Sequence, residues 1–472
     1  MKRLGEIFRW MVIFWPVALY FSYFPVISLG SDESMNFELS VPLIYLVIFD
    51  VVGVIVMLRE KKMAVLWQKW WWALFPVFAT MSVLWSSNMV RGVLTAAVLW
   101  LIYFAVVFIV SLKKQIVDEK FFGRFFQVFF GMTIAVCFWC VLQCILDAMG
   151  VSREYTLMCQ GCTSYSFGFP HPNGFAIEPQ FMGNLLLAPL VCMGWLMVVF
   201  RKGPASCCPP PKFLLSQNIL GVPLRSRHPF VSSTKMTILF FIVTTTLFLT
   251  FSRGAIYAFI VAMIFMAIVF IKNCKKILLL FSMIIGSFLL ALNCQGILAQ
   301  VSPTDDTYFT GITKVLNHLS LGTVDVSAMS SAFDGYVEES TTTRMMLTEA
   351  GLKTWAMNPQ TIVFGVGLGG AGNAMYHAGF TDSPKEIVQN EYVTVLLETG
   401  LIGAILCLAL VVMVIKAVLK LSHGMSVILT LFVAYGVSLL FFSGLTNAMQ
   451  IYLLPAILMV ALPEKLEKVV QV

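Results

Sequence analysis

The sequence predicts an all-α membrane protein of about 12 transmembrane helices, with one large outer loop before the tenth helix. Three observations carry that prediction. Of 472 residues, 59% are apolar and 12% are charged, against roughly 45–50% and 25% in soluble domains. The apolar residues come in blocks of about 17 to 22, the length a helix needs to cross hydrocarbon. The net charge of +7 falls almost wholly in short connections between those blocks. It therefore speaks to orientation in a lipid bilayer and not to nucleic acid.

In chain order the blocks fall near 8–29, 41–58, 71–85, 92–112, 125–149, 181–200, 236–251, 255–271, 277–296, 392–415, 425–442 and 447–462. The first follows Lys2 and Arg3 without a small-x-small cleavage pattern before Ser31, so it reads as a retained helix and not a removed signal. Every second connection is basic: Arg9 and the N-terminus, Arg59 to Lys69, Lys113 to Arg124, 201–235, Lys272 to Lys276, Lys416 to Lys420, and Lys465 with Lys468. The bias of Lys and Arg toward the cytoplasm then puts both termini inside. Residues 1–472 form a single polytopic domain in this reading.

Trp67, Trp70, Trp71 and Trp72 around Lys69 read as an interfacial anchor. The 201–235 stretch, opening on CCPPP without hydrophobic periodicity, reads as a cytoplasmic linker. Asp50 falls in the second block and is expected near its inner end. Most cysteines sit inside the apolar blocks as small hydrophobes. Cys159 and Cys162, in an outer loop, are a disulfide, half a metal site or neither.

Outside, residues 297–391 form the one large connection, with ten acidic residues against four basic ones. Connections of that length are usually binding elements or lids. Tyr308, Ile312, Val315, Leu316 and Leu319 share a helical face, and 345–356 repeats an apolar three-four spacing. Such helices either lie on the membrane surface or pack onto the spans.

Two outer breaks hold an arginine where the other outer turns are bare: Arg91 in WSSNMVRG and Arg253 in FSRGA. A guanidinium at the hydrocarbon edge is a functional candidate, and its fork matches phosphate oxygens. A lipid-linked phosphate is the anion that such a position would meet; snorkelling to headgroups is the alternative. Farther on, Ser383, Pro384 and Glu386 suit a capping box, which predicts a helix from Pro384 into the tenth span, with Gln389 and Asn390 at its outer mouth. Glu391 and Glu398 then share a face, with Gln389 nearly opposite Glu398. Glycines 365, 367, 369, 370 and 372 allow close approach of backbone to a ligand, without the preceding strand of a dinucleotide site.

WSSNMVR, FSRGA, TTTRMM leading into NPQTIVFGVGLGG, and QNEYVTVLLETGLIG, in this order, resemble the O-antigen ligase and polymerase family of membrane glycosyltransferases, most specifically between Phe251 and Gly403 and more broadly over about 236–416. The resemblance implies an enzyme that moves a glycan from a polyprenyl-diphosphate-linked oligosaccharide donor to a hydroxyl of a glycan or lipid-glycan acceptor, outside the cytoplasmic membrane, with neither metal nor cofactor. It also implies that Arg253 and Arg344 hold the donor diphosphate, and Arg91, from its place in the other outer break, is expected to help.

Where the family's ligases carry a histidine, this chain has Gln389; it keeps the family's Asn390, Gly400 and Gly403. An amide takes no proton from a hydroxyl. Glu391, Glu386 or His377 serves as base instead, or charge neutralisation supplies most of the rate, or the chain is inactive. The change favours a polymerase over a ligase. In FGFPHPNGFAIEPQ, His171, Asn173 and Glu178 are candidates for an acceptor groove, against a plain capping turn. His228, His318 and His423 are isolated and read as loop residues. A secondary transporter or a polyprenyl-glycan flippase is the rival on topology. Against the transporter stand the absence of a repeated motif in the two halves and the 95-residue outer insertion.

Overall fold

The structure is a computed structural model. It describes residues 2–22, 25–29, 37–65, 69–118, 120–159, 171–200, 233–301, 307–319, 336–420, 425–444 and 448–462. The 201–235 linker lies almost wholly outside the described residues, as do Trp67, Cys162, His228 and His423.

The longer helices are α1 (Lys2–Tyr20), α2 (Val41–Arg59), α3 (Leu74–Ser82), α4 (Met89–Ser111), α5 (Phe121–Ala148), α6 (Pro179–Phe200), α7 (Ser233–Leu249), α8 (Arg253–Val269), α9 (Cys274–Val301), α10 (Tyr308–Leu319), α11 (Tyr336–Trp355), α12 (Pro359–Phe364), α13 (Ala371–His377), α14 (Glu391–Leu419), α15 (Met425–Ser438) and α16 (Gln450–Ala461). Six described stretches are long and apolar enough to cross a membrane: Val41–Arg59, Met89–Ser111, Phe121–Ala148, Pro179–Val199, Ile271–Val301 and Glu391–Leu419. Shorter apolar helices accompany them at Trp70–Trp85, Thr234–Leu249, Arg253–Val269, Met425–Ser438 and Gln450–Ala461. The chain is therefore a mostly helical, multi-pass membrane protein.

Four expectations need correction. The first apolar block does not stay helical to residue 29. Helix α1 stops at Tyr20, and Pro25–Leu29 pairs antiparallel with Phe37–Ser40, so an all-α description omits a short hairpin. Pro25 has no N–H to extend a helical ladder and begins the first strand. Asp50 lies at the middle of α2 and is buried, and among the described residues its carboxylate has no hydrogen-bond partner.

The tenth span begins at Glu391 and not at Pro384. Asn390 is its N-cap, its side chain accepting from the N–H groups of Tyr392 and Val393. Ser383 only closes a local turn, its Oγ accepting from Lys385 N. Residues 384–388 run non-helically across α13 instead, where Gly372 leaves room for the carbonyls of Pro384 and Glu386 and Val388 is buried against Ala371 and Met375. Tertiary packing thus overrides a sound capping signal.

The 365–372 glycines approach protein backbone, not an open ligand surface. Gly365 lies against Glu398 and Gly400, Gly367 against Ser86, and Gly369 against Gly92, all three with positive φ. Val366 N donates to Leu397 O at 2.8 Å and Gly367 N to Glu398 O at 2.9 Å, while Leu368 N donates to Ser82 Oγ at 3.1 Å. These contacts join WSSNMVR, GVGLGG and LLETGLIG into one unit around a kink at Gly400, whose φ of 62° and ψ of −169° interrupt α14.

Basic residues tie the opposite helix ends together. Arg9 donates to the carbonyls of Gln115 and Ile116 and pairs with Asp118 at 2.8 Å, and Lys276 donates to Val198 O at 2.6 Å. Helix α10 packs on α9 rather than lying apart on a membrane surface: Gly311 sits against Ala299, Val315 is buried, and Tyr308 covers Gly296.

Candidate active site

The break between α7 and α8 is built from Thr250, Phe251 and Ser252. Phe251 has φ of +49°, an uncommon and strained conformation for a bulky side chain. The turn starts α8 at Arg253, with Ser252 as N-cap accepting from Ala255 N at 3.4 Å. Arg253 is thus the first residue of α8, at the positive end of that helix.

Three chain segments converge on this turn. Gly183 of α6 packs on Ser252 and Ala255, which draws the first turns of α6 and α8 together. Gly254 packs on Phe441, just beyond α15. Arg344 of α11 reaches the same place: its Nη1 donates to Phe441 O at 3.4 Å and its Nη2 to Gln180 Oε1 at 3.3 Å, while Gln180 Nε2 donates to Phe441 O. Arg253 and Arg344 are near enough to repel each other. The structure thus brings together two arginines that lie 91 positions apart in the chain.

His318 is the residue that sequence reading missed. Its Nε2 lies 3.1 Å from Phe251 O, and its ring is 6.0 Å from that of His171, which in turn packs 5.3 Å from Phe251. A carbonyl only accepts, so Nε2 carries the hydrogen. Burial, then the Arg253 charge, pulls His318 down to about 3, and burial with His318 and Arg153 pulls His171 down to about 3. Both imidazoles are neutral at physiological pH. The isolated position of His318 gave no signal; only the helical face of 308–319 pointed to an ordered element around it.

The other candidates fall in different places. Asn173 is fully buried and holds its own turn, donating to the carbonyls of Leu157 and Ala176 and accepting from Cys159 N. Gln143 of α5 clamps the same turn through both the N–H and the carbonyl of Gly174. Cys159 is disulfide-bonded. Arg91 interacts with the Glu398 carboxylate, which also accepts from the N–H groups of Gly369 and Ala371. Its recorded partner is therefore in the glycine unit and not in the Arg253–Arg344 group.

Glu391 is buried, and its carboxylate accepts from Gly444 N while its own N–H donates to Leu439 O at 3.0 Å. Gln389 is half-buried beside the Asn390 cap, and His377 is exposed at the end of α13. Glu178 stands at the mouth of α6. Its side chain reaches solvent although neighbouring atoms crowd it; that crowding pushes its carboxyl up, against the pull of Arg344.

A multi-pass helical protein with an arginine pair at a helix start is the class that fold and site define. Residues 238–408 match the family model described as O-Antigen ligase. That stretch, which contains Arg253, Arg344 and Gln389, is O-antigen ligase-like, and the match supports the family resemblance read from the motifs. A comparison with curated proteins gave no match.

Proposed function

We propose that the chain is a membrane glycosyltransferase that uses a polyprenyl-diphosphate-linked glycan on the outer face of the cytoplasmic membrane, and that it polymerises the glycan rather than ligating it to a lipid core. The convergence of Arg253 and Arg344 at the start of α8 carries this reading. Two guanidinium groups held close repel each other, and a diphosphate relieves that cost while receiving forked hydrogen bonds. As the glycosidic bond to the diphosphate breaks, negative charge grows on the leaving group, so donors aimed there lower the barrier. Gln180 and the Phe441 carbonyl hold Arg344 in place.

In this reading the chain crosses the bilayer about twelve times, with both termini cytoplasmic. The arginines then lie at the outer surface, beside the large 297–391 loop. Arg91 supports the site from a distance, through the glycine unit, and Gln389 and Asn390 shape its rim. Polymerase is favoured over ligase because Gln389 replaces the histidine of the family's ligases.

The test uses membranes carrying labelled polyprenyl-diphosphate oligosaccharide. Wild type is expected to form new glycosidic bonds, and Arg253→Ala or Arg344→Ala to reduce this at least about a hundredfold with the protein still inserted. Movement of intact carrier lipid without new bonds would establish a transporter or flippase instead.

A further inference from the structure

We propose that Glu178 is the catalytic residue that takes the proton from the attacking sugar hydroxyl. The inference rests on the glycosyltransferase reading and adds the base which that reading leaves open. Glu391 and His318 have polar atoms committed elsewhere, and among the described residues no hydrogen bond ties His377 to the arginines. Glu391 is buried and accepts from Gly444 N. His318 has one nitrogen on Phe251 O and stands in the field of both arginines, which disfavours the imidazolium it would have to become. His377 is exposed at the end of α13.

Glu178 combines exposure with a position in the field of Arg344. Its carbonyl accepts from Met182 N at 3.2 Å and Pro179 follows it, so it occupies the N-cap position of α6 and its side chain leaves the helix end. The next residue but one, Gln180, binds Arg344, and the turn after that packs on Ser252. The carboxylate feels the Arg344 charge without forming an ion pair within 4.0 Å among the described residues, and it reaches solvent. A group at the arginine pair, accessible and without a fixed hydrogen bond, is placed to meet an acceptor hydroxyl.

The step balances without another reactant. The hydroxyl oxygen bonds to the anomeric carbon, and the bond from that carbon to the diphosphate oxygen breaks with its electron pair on the diphosphate. The hydroxyl proton goes to a Glu178 oxygen and then to water. Arg253 and Arg344 receive the charge on the leaving group.

The experiment compares wild type, Glu178→Gln, Glu178→Asp and His318→Gln in the labelled-donor assay across pH, with binding of polyprenyl diphosphate measured separately. The base must be ionised, so turnover is expected to fall as pH falls through the Glu178 carboxyl, which is raised above the ordinary carboxylate range. Glu178→Gln is expected to lose about 10²–10⁴-fold in turnover and the acid limb of the pH profile, with diphosphate binding kept. Glu178→Asp retains part of the rate together with the limb, and His318→Gln retains the limb. Unchanged turnover and an unchanged acid limb in Glu178→Gln would overturn the assignment while leaving the arginine reading intact. A wild type that forms no glycosidic bond defeats that reading itself.

Discussion

At the scale of single residues, the arrangement separates groups that hold the protein from groups proposed to face a substrate. Asn173 and Asn390 carry polar side chains of the kind found in active sites, yet both are spent on backbone groups. Glu391 is similar, a buried carboxylate that fastens the segment after α15 to the start of α14. Its amide variant keeps an acceptor oxygen, so Glu391→Gln is expected to retain both thermal stability in detergent and transfer. Glu391→Ala leaves Gly444 N without its acceptor and is expected to lose about 1–3 kcal/mol. Loss of transfer in a stably folded Glu391→Gln would instead make Glu391 the base. Arg253 was legible in the sequence because an arginine in a short outer break is anomalous. Arg344 was legible only through the resemblance, since nothing local marks one arginine in a polar helix. His318 was hidden because its importance comes from Phe251, 67 positions away.

At the scale of elements, apolar blocks and breaks located the helices well, and the errors arose where packing outweighed local preference. The tenth span shows this. Ser383, Pro384 and Glu386 favour a helix, but burying Val388 against α13 and placing two carbonyls on Gly372 hold that stretch non-helical until Asn390 restarts the helix. The glycine run was expected to meet a ligand, whereas what it approaches is backbone from 86–92 and 398–400. Gly400 is the keystone of that unit. A Cβ there would overlap the backbone at Val363 and Gly365 and require positive φ. Gly400→Ala is therefore expected to open the unit, seen as faster proteolysis between residues 356 and 370 and a lower midpoint of thermal unfolding. Wild-type resistance in that variant would show that the kink is not needed.

At the scale of the whole molecule, two groups of helix ends are held together by different contacts. At one, basic residues grip backbone carbonyls and Asp118. At the other, the starts of α6 and α8, the end of α15 and the middle of α11 meet around two arginines. The alternation of basic connections marked the first group, but no pattern within one segment reveals which distant segments meet. Arg253 and Arg344 are proposed to grip one diphosphate together. A double-mutant cycle on binding of polyprenyl diphosphate by wild type, Arg253→Ala, Arg344→Ala and the double variant tests it most directly. Each single change is expected to weaken binding about tenfold or more, and the double change to cost clearly less than the sum of the two, because both guanidinium groups serve the same anion. Undiminished binding in either single variant, or strictly additive losses, would contradict the account.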